Sequence, residues 1–124
     1  MADLIKIAVD AMGGDDSPKK VIDGIIHNHK NNKENFFKIF GDENKIISLL
    51  KDEIESQYYE IIHTENFVLS TDSPLEAAKR GKDTSMWLAI QSVKEKNCDI
   101  VISAGNTGAL LVISKLNLKM IDNI

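Results

Sequence analysis

One cysteine, Cys98, stands in this chain of 124 residues, so no disulfide can form within it. That removes the usual staple of small secreted domains, and a reducing cytoplasm is the simplest compartment it fits. Basic residues are not in excess: 15 Lys and Arg stand against 19 Asp and Glu, a formal charge of −4. A nucleic-acid binder normally carries a basic face, and a membrane-surface segment a polybasic run, so the balance argues against both. Long apolar runs are missing too. None is longer than Ala109 to Ile113, far short of the roughly 20 residues of a spanning helix. The opening MADLIKIAVD carries Asp3 and lacks the basic lead of a secretory signal. No internal repeat or low-complexity block interrupts the chain.

What is present reads as globular. Hydrophobic residues make up 43% and charged residues 27%, and a chain of this size can bury roughly two-thirds of its unfolded surface without staples. The expectation is one soluble α/β domain spanning residues 1–124. Leu4 to Val9 is a short β-branched run that ends at Asp10 and a Gly-Gly pair. Ser17-Pro18 then reads as N-cap and first helical residue, with Val21, Ile22, Ile25, Ile26 and His29 at helical spacing. Phe36 to Phe40 reads as a second strand. Gly41-Asp42 leads into a helix with Ile46, Ile47, Leu49, Leu50 and Ile54 on one face. Tyr59 to His63 is a third strand, and the TENFVLSTDSP that follows is loop-like. Asp83 or Thr84 caps a helix carrying Met86, Ala89, Ile90 and Val93. Asp99 to Ser103 is a fourth strand, and a last helix runs from Ala109 to about Met120. This alternation predicts a mostly parallel, Rossmann-like sheet with helices on both faces.

In such a sheet ligands bind outside the carboxyl ends of the strands. Three polar loops open there. Asp10 to Asp15, DAMGGD, has a Gly pair that allows close backbone approach, and the helix after it aims free N–H groups at the space. It also fits an ordinary βα turn. It matches neither G-x-G-x-x-G nor G-x-x-x-x-G-K-[ST], so a dinucleotide or P-loop nucleotide is not supported. Ser103 to Gly108, SAGNTG, offers backbone N–H groups, the Asn106 amide and the Thr107 hydroxyl to an anion; equally, Asn106 or Thr107 caps the helix. Thr71 to Met86 holds Lys79, Arg80 and Lys82, the densest basic cluster, readable as phosphate charge or as a solvated helix face. Other candidates are weaker. Cys98 precedes Asp99, which disfavours a thiolate. His27 and His29 face different sides of their helix, so they do not share a metal. Ser70, His63 and Asp72 lack the nucleophile-elbow pattern of a triad. Trp87 and Met86 read as core.

Taken together, I-A-V-D-A-M-G-G-D-x-x-P over Ile7 to Pro18, T-D-x-P and K-D-x-S-M within Thr71 to Met86, and V-I-S-A-G-N-T-G-A-L-L over Val101 to Leu111 resemble the phosphate acyltransferase (PlsX) family of bacterial phospholipid synthesis. Asp16, Gly81 and Thr84 depart from the family's usual residues, and Gly81 thins the basic cluster. The resemblance implies a fold similar to isocitrate and isopropylmalate dehydrogenases, without a nicotinamide or any other cofactor. It implies transfer of a fatty acyl group from acyl carrier protein to orthophosphate, giving acyl phosphate. Phosphate is then the nucleophile, and fixed donors must stabilise the thioester oxyanion. On this reading Asn106 and Lys82 are the catalytic residues. Asp10, Gly13, Gly14, Asp15, Arg80, Ser85, Gly105, Thr107 and Gly108 bind phosphate, and no metal is involved. The resemblance covers only the N-terminal part of such proteins. The rest of the sheet, the homodimer interface, and the acyl-chain and membrane-contacting elements are expected beyond it. The chain alone is therefore expected to be marginally stable and weakly active or inactive, in the cytoplasm or at the inner face of the membrane. The rival readings are a phosphate acetyltransferase or hydroxyacid dehydrogenase of the same broad fold, and a non-catalytic remnant or binding module.

Overall fold

The computed structural model describes residues 3–118, and only the backbone of residues 107, 117 and 118. The elements run β1 (Ile5–Asp10), α1 (Lys19–Asn31), β2 (Asn35–Gly41), α2 (Glu43–Leu50), a single 3-10 turn (Ser56–Tyr58), β3 (Tyr59–His63), α3 (Pro74–Lys79), α4 (Ser85–Lys94), β4 (Ile100–Ser103) and α5 (Thr107–Leu118). The four strands form one parallel sheet in the order β3-β2-β1-β4. The sheet grows one way from β1 to β3, then β4 returns to the other side of β1. Right-handed crossovers must therefore put the helices before and after that reversal on opposite faces.

The packing agrees. In register, Ile7 lies beside Phe37 and Ile100, and Val9 beside Ile39 and Ile102. On that face Ile7, Val9, Phe37 and Ile39 bury against Ile22, Ile25 and Ile26 of α1 and Ile46 and Leu50 of α2. Alternation turns Ala8 and Phe40 to the other face, where they meet Ala89 of α4 and Cys98. Farther out, Val68, Ala77, Met86, Ile90, Ala109 and Ile113 join α3, α4 and α5. The α1 side of β4 is uncovered: Ile100 and Ile102 are 47% and 48% exposed. Among the described residues no helix is long and apolar enough to cross a membrane.

Several boundaries differ from the sequence reading for local reasons. Pro18, not Ser17, occupies the cap position of α1, because the Ser17 hydroxyl turns back to accept the Gly14 N–H. Ile47 is exposed, since only Ile46 and Leu50, one turn apart, face the sheet. The stretch read as loop contains α3. Its Ser73 and Glu76 form a reciprocal capping box with Pro74 in the first turn. Of the two candidate caps of α4, Thr84 accepts the Trp87 N–H. The last helix starts two residues earlier than expected, at Thr107, and its expected end near Met120 lies outside the described residues.

Candidate functional site

The reversal of strand order makes the β1/β4 carboxyl edge the place where an open parallel sheet accepts ligands. Asp10 closes β1 there, and alternation puts its side chain on the same face as Ala8, wholly buried. A buried carboxylate must be satisfied by donors. Its Oδ1 accepts the Ser85 hydroxyl at 2.5 Å and the Met12 N–H at 3.2 Å, and its Oδ2 accepts the Ser103 hydroxyl at 2.9 Å. Ser103 Oγ in turn accepts the Gly105 N–H at 3.2 Å. One carboxylate thus fastens the ends of β1 and β4 and the start of α4. Asp10 and Ser85 face each other in the interior. They shape the edge from beneath.

Above this knot the two glycine loops lie backbone against backbone. A Cβ on Gly105 would sit 2.4 Å from the Gly13 carbonyl oxygen, and one on Gly13 would sit 2.7 Å from Asp10 Oδ2. Only glycine permits that approach. Gly13, Gly14 and Gly105 are therefore brought together, as their loops suggested. Asp15, next to them, is exposed.

The start of α5 is held by Asn106. Its Oδ1 accepts the Ala109 N–H at 2.9 Å, a helix cap. Its Nδ2 donates to the backbone carbonyls of Asp72 and of Leu69, the latter at 3.3 Å. Gly108 packs against Pro74, whose Cγ would lie 3.2 Å from an added Cβ. Asp72, 4% exposed at its side chain, accepts Arg80 in a fork: Nε donates to Oδ2, and Nη2 to Oδ1 at 2.8 Å. The Arg80 bonds hold the Asp72 carboxyl below the ordinary carboxylate value. Burial opposes them, and the Leu69 N–H adds to them.

The structure does not gather every candidate. Lys82 lines a separate groove of about 310 Å³ between α4 and α5, with Trp87, Gln91, Lys94 and Leu116. The Thr107 side chain lies outside the described residues. His63 acts locally, where its Nδ1 accepts the Glu43 N–H at 3.0 Å, at the start of α2. Cys98 is buried and accepts the Ser92 hydroxyl at 3.1 Å. Among the described residues no cluster of His, Cys, Asp and Glu could hold a metal. Two site residues escaped the sequence reading, Ser103 and the role of Asp72. The signal for Ser103 was available, because strand alternation sends Asp10 inward and an inward carboxylate needs hydroxyls nearby.

Comparison with known proteins adds a family. Residues 5–124 match the model of a family described as fatty acid synthesis protein. A phosphate acyltransferase of Pelagibacter ubique (strain HTCC1062) is 68% identical over all 124 residues, which cover 37% of that relative. One of Streptococcus pyogenes serotype M5 (strain Manfredo) is 44% identical over 108 residues, 87% of this chain and 31% of the relative. The chain thus spans about a third of the length of the relatives it matches.

Proposed function

The chain belongs to the fatty acid synthesis protein family, and from that premise we propose that it forms the phosphate-binding edge of a phosphate acyltransferase. In the proposed reaction an orthophosphate oxygen attacks the thioester carbonyl of a fatty acyl group carried on acyl carrier protein. A C–O bond forms, the C–S bond breaks, and the thiolate leaves and takes up a proton. No serine, cysteine or cofactor is needed as an intermediate carrier. The protein has to strip water from phosphate, orient it, and stabilise the oxyanion with fixed donors.

The observation that carries this reading is the interlocked pair of glycine loops at the β1/β4 edge, over the Asp10 knot. Backbone N–H groups of Gly13 and of Asn106 to Gly108 are the proposed anion donors; those of Gly14 and Gly105 already reach the Ser17 and Ser103 hydroxyls and set the shape of the two loops. The α5 N-terminus adds its positive dipole end. Asn106 has both amide atoms engaged, so its proposed part is to hold those donors in place. Lys82 is exposed on the α3–α4 connection and lies at the α4–α5 groove; it is the proposed cation, reaching from there to the glycine loops, because two donors of Arg80 already face Asp72. Homodimerisation and peripheral membrane contact belong to the same proposal.

The test is acyl phosphate formation by the full-length protein that carries this sequence. Asn106→Ala should slow turnover with long-chain acyl carrier protein strongly; unchanged turnover removes Asn106 from the site. Acetyl-CoA in place of the long-chain donor should be a poor substrate, and efficient acetyl transfer would favour a phosphate acetyltransferase instead. Phosphate should also raise the melting temperature, since ligand at about 100 times its Kd stabilises by about 2.7 kcal/mol.

A further inference from the structure

We propose that Asp72 and Arg80 are a positioning pair that sets the α5 start through Asn106, and that Arg80 is not a phosphate ligand. This rests on the acyl-transfer reading above.

The segment from Leu69 to Arg80 fastens itself before it touches anything else. Asp72 donates its N–H to the Leu69 carbonyl at 3.1 Å, and its Oδ2 accepts the Leu69 N–H at 2.9 Å. The capping box of Ser73 and Glu76 fixes α3. Arg80, just past the end of α3, then reaches back and closes the fork on Asp72. Val68 before the turn and Ala77 after it are anchored in the core, but the turn between them, Leu69 to Ser73, has little apolar anchoring of its own, and Leu69 is 40% exposed. Its shape therefore depends on the ion pair. A bidentate arginine–carboxylate pair is directional, and a lysine does not reproduce it.

Asn106 reads that shape directly. Both of its outward bonds end on carbonyls of this turn, at Leu69 and Asp72, while its Oδ1 caps α5. Gly108 accepts Pro74 on its bare Cα. The donors proposed for the oxyanion are thus located from outside by a surface turn, and the turn is located by Asp72 and Arg80. A displacement of a fraction of a residue there moves the loop that meets phosphate. Misplacement on that scale lowers turnover without removing a binding contact.

The experiment uses the full-length protein with Arg80→Ala, Asp72→Asn, the double variant and Arg80→Lys. Each single variant should lower kcat by about tenfold to a hundredfold, with the KM for phosphate nearly unchanged. The double variant should be no worse than either single one, and Arg80→Lys should recover only part of the loss. Hydrogen exchange at the Ala109 and Leu110 amides should rise in the single variants while the melting transition stays cooperative. A raised KM for phosphate in Arg80→Ala beside a fully active Asp72→Asn would overturn the pair and make Arg80 a ligand. Multiplicative losses in the double variant would overturn it too. If the unaltered protein makes no acyl phosphate, the parent reading fails by itself. The exchange result still decides the pair: unchanged Ala109 and Leu110 amides would overturn it.

Discussion

Under α1 and α2 the sheet is held by Ile7, Val9, Ile22, Ile25, Phe37, Ile39, Ile46 and Leu50, side chains with no polar atoms. At the carboxyl ends of β1 and β4 the same sheet is held by Asp10, Ser85, Ser103 and Gly105, through bonds with fixed directions. The first region works by removing apolar surface from water, and its geometry can relax. The second buries a carboxylate, and its donors must be where they are. A region of the first kind supports a fold. One of the second kind also fixes the directions in which two loops leave the sheet.

The contrast is broken most sharply by removing one side chain from each region. Asp10→Ala leaves the buried Ser85 hydroxyl, the half-buried Ser103 hydroxyl and the Met12 N–H without their acceptor. It should cost about 4 kcal/mol, because each abandoned buried donor costs roughly 1–3 kcal/mol. Ile39→Ala, at a wholly buried position of the apolar region, should cost about 3 kcal/mol, and Ile39→Val only about 1 kcal/mol. The difference lies in the graded series. Asp10→Glu has no gentle counterpart to Ile39→Val, since a longer carboxylate misses all three donors at once. Denaturant melts of the four variants check this; an Asp10→Glu as mild as Ile39→Val would make the polar knot as adaptable as the core.

Acid offers a smaller lever, and it acts on the polar side alone. The Asp72 carboxyl is held below its ordinary value of 3.8, first by the Arg80 bond. A folded-state value below the unfolded one adds stability that is fully present above the ordinary carboxylate value. That stability is lost as the pH falls through the lowered one. Asp72→Asn should therefore be less stable than the unaltered chain at neutral pH, and the gap should close in acid. A gap independent of pH would show that the fork contributes shape without charge. Ile39→Val should show no such convergence.

The two regions were also unequally legible. All four strands, and α1, α2 and α4, followed from apolar runs and spacing, because Ile22, Ile25 and Ile26 or Ile7 and Val9 repeat with the period of their element; α5 followed from the glycine turn before it. The glycine loops were legible as a place, since Gly13, Gly14 and Gly105 sit at strand ends. The roles within that place were not. Asp10 and Ser85 look like ligand residues in a sequence, yet they bond each other across 75 positions. Arg80 looks like a free cation until Asp72 is found eight residues away in sequence and bonded to it in space. Spacing reveals which face a residue takes; only the fold reveals which partner has already claimed its polar atoms. The capping box of α3 was a local signal, hidden because Ser73 and Pro74 serve turns and helix starts alike.

The smallest expected effect tests a polar side chain buried without a partner on the apolar side. His29 is 2% exposed at the sheet-facing side of α1, and neither ring nitrogen has a hydrogen-bond partner. Its ring packs against Tyr58, with centroids 4.8 Å apart at 60°. An imidazole carries at least one N–H, and here that donor gives up water without gaining an acceptor. His29→Phe keeps an aromatic ring in contact with Tyr58 and deletes the unsatisfied atoms, so it should raise stability by about 1 kcal/mol. His29→Ala should lower it, since the ring's packing is lost along with the polar atoms. A stabilising Phe beside a destabilising Ala would show that this region rewards shape and penalises polarity, the reverse of what Asp10→Ala should show at the β1/β4 edge. If Phe destabilises instead, the imidazole has a partner in solution, and the apolar side shares more of the polar side's character than its side chains suggest.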